Sequence, residues 1–461
     1  MQQYYILQKQ KPRQAIGNII VLTNGALPKA YFYKMAYEIF LRGDTSYVAL
    51  PAPDKSIAVF IARPFKSIAQ ECQADLIWYD KKKNQNVFYG SHESVLLAIT
   101  TIKQRTVYAR LLVTLRRACT IMSPFIRLCY SAISSETSKL KDDKSIFTIA
   151  DGAVQTLLMY LLDGRFKHCV GEENSPVNLT AHVIQGSPPY SVDGLNIPVE
   201  FHAVLNGIIE KITVLRSEID AQSFTGDCVF IDPIDGTREF ATGKGEQCTI
   251  CIGISNGKTG RPIAGLIFRP LNETYAMGAA GEGFYKDNLV HTGIPRLGLL
   301  VSNGTVSDFL LNFTEEMKKK YPDFALVQSG GAGNKMLLLL AGEATIYLQD
   351  RGLSRWDTCA AEAILSATKT DSVGMLEPFL RQRKITHYTY RFSRLNTNFK
   401  AGIAKLTLFN SAVPGASGVA FDIRQVKPYA NMRGFIALAD GAQKNTVWRA
   451  CQASLSRPSY D

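Results

Sequence analysis

The chain has 461 residues, 46% hydrophobic and 20% charged, with few low-complexity tracts: enough for two packed subdomains and an appendage. No apolar run approaches the length of a bilayer span, so a soluble protein is expected, and a formal net charge of +12 suits polyanionic small molecules or acidic membrane surfaces without by itself implying nucleic-acid binding. Nine cysteines, an odd number without framework spacing, and no secretory pattern point to a reducing, cytoplasmic compartment.

Residues 1–104 carry strand-like runs at Tyr47–Leu50, Ile57–Ile61 and Leu76–Tyr79, together with Lys81-Lys82-Lys83. Their first 43 positions hold several Lys and Arg but only Glu38 as an acid, which fits either a targeting segment or an added module. From about 105 to 135, Val107, Leu111, Leu112, Leu115 and Ile121 recur at helical spacing, and Glu136 to Lys144 reads as an exposed loop. Next, Thr148-Ile149-Ala150-Asp151-Gly152 places one acid at the start of the helical pattern Val154, Leu157, Leu158, Leu161 and Leu162. Val170-Gly171-Glu172-Glu173-Asn174 then leads an apolar residue and a glycine into paired acids, and a helix is expected over 200–216.

The run Cys228 to Ile231 reads as a buried strand leading into Asp232-Pro233-Ile234-Asp235-Gly236-Thr237, so two carboxylates emerge together at a strand end. Hard cations are held by oxygen ligands, and this is the chemistry of a Mg2+ site. Strands are expected around Thr249–Ile254 and Ile263–Phe268. Cys248 and Cys251 form a lone Cys-x-x-Cys without a second ligand pair and read as core thiols. Gly330-Gly331-Ala332-Gly333-Asn334-Lys335 lacks the spacing of a dinucleotide fingerprint and opens a helix over 335–341. Arg355-Trp356-Asp357 begins another apolar helix, where Asp357 also has the position of a helix cap. Residues around 370–427 are rich in Arg, Thr and Phe and read as an enlarged outer loop and strand pair.

In this order, Ala150-Asp151, Gly171-Glu172-Glu173, Asp232 to Thr237 and Trp356-Asp357 resemble the inositol monophosphatase superfamily of lithium-sensitive, Mg2+-dependent phosphomonoesterases, over roughly residues 105–461. Within it the chain looks most like the inositol polyphosphate 1-phosphatases, through the spacer 174–226, the glycine-rich word ending at Lys335, the stretch Trp356 to Leu365, and Tyr429 to Ala437. The 3'(2'),5'-bisphosphate nucleotidases are the next resemblance. They share the glycine-rich word and the glycine at Gly236, but have a histidine where this chain reads Val301 to Val306.

The resemblance implies an α/β fold, a layered αβαβα sandwich, with a subdomain over 105–295 carrying most ligands and one over 296–461 carrying Asp357. It implies two or three Mg2+ ions and inhibition by Li+. Glu172, Asp232 and the Ile234 carbonyl would hold the first ion, Asp232, Asp235 and Asp357 the second, and Glu173 a weaker one through water. Asp151 would take a proton from the attacking water through Thr237. Asp235, Gly236, Thr237, Ser302, Gly331, Ala332 and Lys335 would contact substrate, with Thr305 as a further polar contact. The implied partner is a small phosphorylated molecule, and the chain would be a monomer or homodimer. Hydrolysis of the 1-phosphate of inositol 1,4-bisphosphate or 1,3,4-trisphosphate is the expected activity. Hydrolysis of 3'-phosphoadenosine 5'-phosphate to AMP is the alternative, and a catalytically silent phosphate-ligand binder the second alternative.

Overall fold

The computed structural model describes residues 14–16, 19–22, 38–42, 45–51, 65–80, 82, 85–134, 140–172, 191–192, 195–220, 222–287, 289, 297–304, 306–350, 352–368, 373–394, 428–439 and 444–455. The chain divides into two compact units, Met1–Val113 with Gly281–Tyr285, and Thr114–Ala280 with Lys286–Asp461.

The first unit holds β1 (Gln14–Ile16), β2 (Ile19–Leu22), β3 (Glu38–Arg42), β4 (Thr45–Pro51), α1 (Phe65–Glu71), β5 (Leu76–Asp80), β6 (Gln85–Ser91) and α2 (His92–Arg105), with one sheet in the order β1-β2-β3-β4-β6-β5. Two of the expected strand runs fall inside β4 and β5; Ile57–Ile61 lies outside the described residues.

Helix α3 (Val107–Ser134) covers the expected apolar period, and α4 (Leu140–Leu162) follows. The exposed loop expected up to Lys144 is therefore corrected from Leu140 onward, and Asp151 lies in the middle of α4, not at its start. Lys141, Asp142, Asp143 and Lys144 suggested a loop by charge alone, yet lysine is a good helix former and propensity yields to the helix that contains it.

The larger unit continues with β7 (His168–Gly171), the short pair β8 (Ser191–Val192) and β9 (Leu195–Asn196), α5 (Val199–Arg216), β10 (Asp227–Asp235), α6 (Thr237–Ala241), β11 (Thr249–Asn256), β12 (Pro262–Phe268) and β13 (Tyr275–Ala279). Its first sheet runs β13-β12-β11-β10-β7; β10 is parallel to β7 and antiparallel to β11, which explains why every residue of β10 is buried. Side chains alternate between sheet faces, and the alternation separates two helical covers. Gly171 meets Gln155 of α4 on one face. Gly253 and Gly265 face α9 (Arg355–Ala367) on the other, where β-carbons built on them would lie 2.5 Å from Cys359 Cβ and 2.3 Å from the Ala360 carbonyl oxygen. Helix and sheet thus touch backbone to backbone, which only glycine permits.

After β14 (Gly283–Asp287), a second sheet takes β15 (Gly298–Val301), β16 (Ala325–Gln328), β17 (Ile346–Gln349), β18 (Val373–Met375) and β19 (Phe435–Leu438) in the order β16-β15-β17-β19-β18. Helix α7 (Asp308–Lys320) starts where the Ser307 hydroxyl accepts the Leu310 N–H and ends on Lys318, Lys319 and Lys320, as its dipole favours. With α10 (Leu376–Gln382) and α11 (Lys444–Leu455) it closes a core of Leu299, Phe313, Ile346, Leu376 and Val447. Helices α8 (Ala332–Ala341) and α9 pack together, and they also contact the two sheets. The layers of the expected αβαβα sandwich are all present in this unit.

Candidate metal centre

Register brings the first two acids together. Ile231 pairs with Gly171, and the Glu172 N–H donates to the Ile231 carbonyl at 3.1 Å, so Glu172 leaves β7 beside Asp232. The third acid arrives on α9, whose first turn is fixed by Asp357 Oδ2 accepting the Ser354 N–H at 2.6 Å. One carboxylate oxygen each from Glu172, Asp232 and Asp357 then lies within 4.8 Å of the others. Between Asp232 and Asp235 the pairing with β11 shifts register at Pro233-Ile234, which takes this stretch out of the regular ladder. Proline has no N–H to donate there.

Asp235 is held differently. Its Oδ1 accepts the Ala332 N–H at 2.9 Å, and its Oδ2 accepts the Gly333 N–H at 2.6 Å and the Thr249 hydroxyl at 3.0 Å. The second acid of the pair thus anchors the N-terminus of α8, and the Ala332 N–H expected near substrate is already given to Asp235. Gly331 adopts φ +62°, and a β-carbon on it would approach Asp235 Oδ2 to 2.9 Å, so glycine is required on two counts. One turn along α8, Lys335 is only 3% exposed; its Nζ donates to Ser302 Oγ at 3.3 Å and lies 5.4 Å from the Tyr347 ring centroid. A solvated surface lysine is thereby excluded.

Asp151 is buried on α4, one turn before Gln155, whose side chain sits over Gly171; residues four apart share a helix face, so Asp151 is on the face turned to β7. Thr237 is exposed at the start of the short α6, after Gly236 at φ +98°, and α6 packs on α4. Glu173 and Thr305 lie outside the described residues. Cys248 and Cys251 are buried free thiols, as expected.

Several polar residues near the site carried no motif. Asn303 Nδ2 donates to Glu239 Oε1 (3.0 Å) and to Gln247 Oε1 (2.8 Å), and Gln247 Oε1 also accepts the Gly330 N–H at 2.7 Å. None of these contacts had a signal in the sequence.

Burial, joined by the charges of Glu172, Asp235 and Asp357, pushes Asp232 well above the ordinary carboxylate range. Asp357 is half-buried as a residue, but its carboxyl faces inward, and desolvation pushes it up to about 8 against the opposing hydrogen bonds. Burial raises Asp235 too, while the N–H groups of α8 and Lys335 pull it down. Asp232 Oδ1 is buried and meets no hydrogen-bond donor among the described residues. A converging all-oxygen set that repels its own charge, with an unsatisfied buried carboxylate oxygen, fits a hard divalent cation such as Mg2+.

A stability prediction follows. With carboxyls raised in the folded state, the folded chain keeps protons that the unfolded chain releases, so stability falls as pH rises. The metal-free protein should lose unfolding temperature from the ordinary aspartate value of 3.8 up to about 8. Excess Mg2+ should flatten the slope in calorimetry; a slope indifferent to Mg2+ would contradict the trio as a metal centre.

Residues 109–369 match the profile described as the inositol monophosphatase family. The chain belongs to the inositol monophosphatase family. Among relatives of this family member, the human 3'(2'),5'-bisphosphate nucleotidase 1 is 32% identical over 151 residues, covering 30% of this chain and 47% of that protein. The Golgi-resident adenosine 3',5'-bisphosphate 3'-phosphatase of Callithrix jacchus is 28% identical over 177 residues, 36% of this chain and 46% of that protein. This inositol monophosphatase family chain thus spans about half the length of the curated relatives it matches. The crystal structure of extragenic suppressor protein suhB from Bartonella henselae aligns at a TM-score of 0.40 and 14% identity, over 74% of this chain and 98% of that one. Among the described residues no helix is long and apolar enough to cross a membrane.

Proposed function

We propose that the chain is a Mg2+-dependent, lithium-sensitive phosphomonoesterase whose small substrate carries two phosphates, one cleaved and one held. The observation that supports it most is the Glu172, Asp232 and Asp357 trio, built into a chain that matches a phosphatase family. Glu172, Asp232, the Ile234 carbonyl, Asp235 and Asp357 would hold Mg2+, with Glu173 supporting a further ion; bound there, the metal supplies Lewis acidity and an acidified water. Asp151 would accept the proton of the attacking water through the Thr237 hydroxyl. Thr237 and Gly236 would receive the phosphate undergoing transfer. Lys335, buried near Ser302, would place a cation against substrate; burial lowers it below the ordinary lysine value, and Asp235, Glu239 and Asp357 oppose that shift.

The nucleotide reading, hydrolysis of 3'-phosphoadenosine 5'-phosphate, is favoured by relatives that carry bisphosphate nucleotidase names. The inositol reading, removal of the 1-phosphate from inositol 1,4-bisphosphate or 1,3,4-trisphosphate, is favoured by the words at Gly330 to Lys335 and Tyr429 to Ala437. Phosphate release from inositol 1,4-bisphosphate and 3'-phosphoadenosine 5'-phosphate, measured side by side with Mg2+ and with or without millimolar Li+, separates them. The expected result is faster release from the nucleotide, suppressed by Li+. Faster release from the inositol would reverse the choice, and turnover of neither by metal-loaded protein would favour a silent phosphate-ligand binder.

A further inference from the structure

Helix α9 itself carries a buried acid that the site has not used. Glu362 is 0% exposed, and its partners all come from the segment 387–390: His387 Nδ1 at 2.9 Å, the Tyr388 N–H at 3.5 Å and the Tyr390 hydroxyl at 2.7 Å. Packing alone does not explain it, because a carboxylate in a core is costly unless hydrogen-bonded, and an apolar side chain of similar size would fill the space.

The polar contacts continue toward Asp357. The Tyr390 hydroxyl that meets Glu362 is also 3.1 Å from Thr358 Oγ1, and Thr358 Oγ1 accepts from Asn431 Nδ2 at 2.8 Å. The same Asn431 Nδ2 reaches the Ser354 carbonyl at 3.0 Å. Ser354 is the residue whose N–H holds Asp357 Oδ2. Each hydroxyl carries one proton. The Tyr390 hydroxyl lies between the Glu362 carboxylate and Thr358, and the Thr358 hydroxyl donates its own proton to the Ser354 carbonyl at 3.2 Å, so the chain runs from the acid to Ser354. Arg355, 1% exposed, adds a second tie, donating from Nε to the Thr389 carbonyl (3.1 Å) and from a guanidinium nitrogen to the Ala430 carbonyl (3.1 Å).

We propose that Glu362 is a positioning residue for the metal centre, acting through Tyr390, Thr358 and Asn431 on Ser354 and so on the carboxylate of Asp357. This rests on the reading of Asp357 as a metal ligand. Hydrogen-bond chains of this kind orient the groups that ligands depend on, and their loss typically weakens metal affinity by about 10–100-fold.

The test is the Mg2+ concentration that gives half of the full rise in unfolding temperature, followed by calorimetry in the wild type, Thr358→Val, Thr358→Ser and Tyr390→Phe. Thr358→Val keeps the volume and removes the hydroxyl; Thr358→Ser restores it. Half-saturation should rise about tenfold in Thr358→Val and Tyr390→Phe, and return to within about twofold of wild type in Thr358→Ser, which a merely structural role would not do. A wild type that responds to Mg2+ alongside variants with unchanged half-saturation, whatever their metal-free unfolding temperature, would overturn the positioning role alone. A wild type indifferent to Mg2+ would overturn the metal reading and this inference with it.

Discussion

Asp232→Asn should abolish Mg2+-dependent phosphate release while making the metal-free protein more stable at pH 8. Both effects come from one carboxylate. Asp232 stands in β10 with one carboxylate oxygen within 4.8 Å of oxygens of Glu172 and Asp357, and its Oδ1 meets no donor among the described residues. An amide there cannot supply the anionic oxygen a hard cation needs. Loss of a residue that merely orients a metal ligand costs about 10–100-fold, and loss of the ligand itself should exceed that, on the order of a thousandfold. The same change removes a buried charge that burial and Glu172, Asp235 and Asp357 all disfavour. Activity and stability should therefore move in opposite directions, as read by phosphate release and by unfolding temperature in a chelator. A variant that loses both would show a site serving the fold, and one that keeps full activity would remove Asp232 from the chemistry.

Gly265→Val should have the largest effect on folding. A β-carbon at Gly265 would lie 2.3 Å from the Ala360 carbonyl oxygen and 2.7 Å from Ala360 Cα, and both are backbone atoms of a helix buried between sheets. A flexible side chain could move aside, but α9 cannot without carrying Asp357 with it. Overpacking a core costs about 1–3 kcal/mol, and a clash with backbone on this scale belongs in the exceptional range above about 4 kcal/mol. For a unit of this size that corresponds to a fall of about 10 °C or more in unfolding temperature. Whatever folds should also bind Mg2+ more weakly. A Gly265→Val protein with the wild-type unfolding temperature would mean that helix and strand are not in the contact described.

The acidic words were legible because each keeps its chemistry next to its own turn. Asp232-Pro233-Ile234-Asp235 names its two acids, its strand end and its ladder break within a few residues, and Trp356-Asp357 stands at a helix start that the apolar period announces. The strands β10, β11 and β12 were equally readable from their apolar runs. Asp151 was placed one helix start too late because the charged stretch before it hides a helix that continues into the core. The glycines at 253, 265 and 278 had no motif: their meaning depends on Cys359, Ala360 and Ile364, about a hundred residues further on. Nor could a sequence disclose that Asp235 is taken up by the N–H groups of Ala332 and Gly333, or that Glu362 leans on a segment beyond α9.

The bond from Asp235 to the start of α8 joins residues 97 and 98 positions apart, whereas β10, β11, β12 and β13 pair in succession from adjacent stretches of chain. Closing a loop costs entropy that grows with its length, though slowly. The sheet is thus assembled from short closures, and the acids are gathered by long ones, across α5 for Glu172 and across β11 to β17 for Asp357. In contact-order terms the acids meet through contacts far less local than those that pair β10 to β13. The sheet is a platform that the chain can lay down from neighbouring segments, and the acidic centre is the place where its distant parts are obliged to agree.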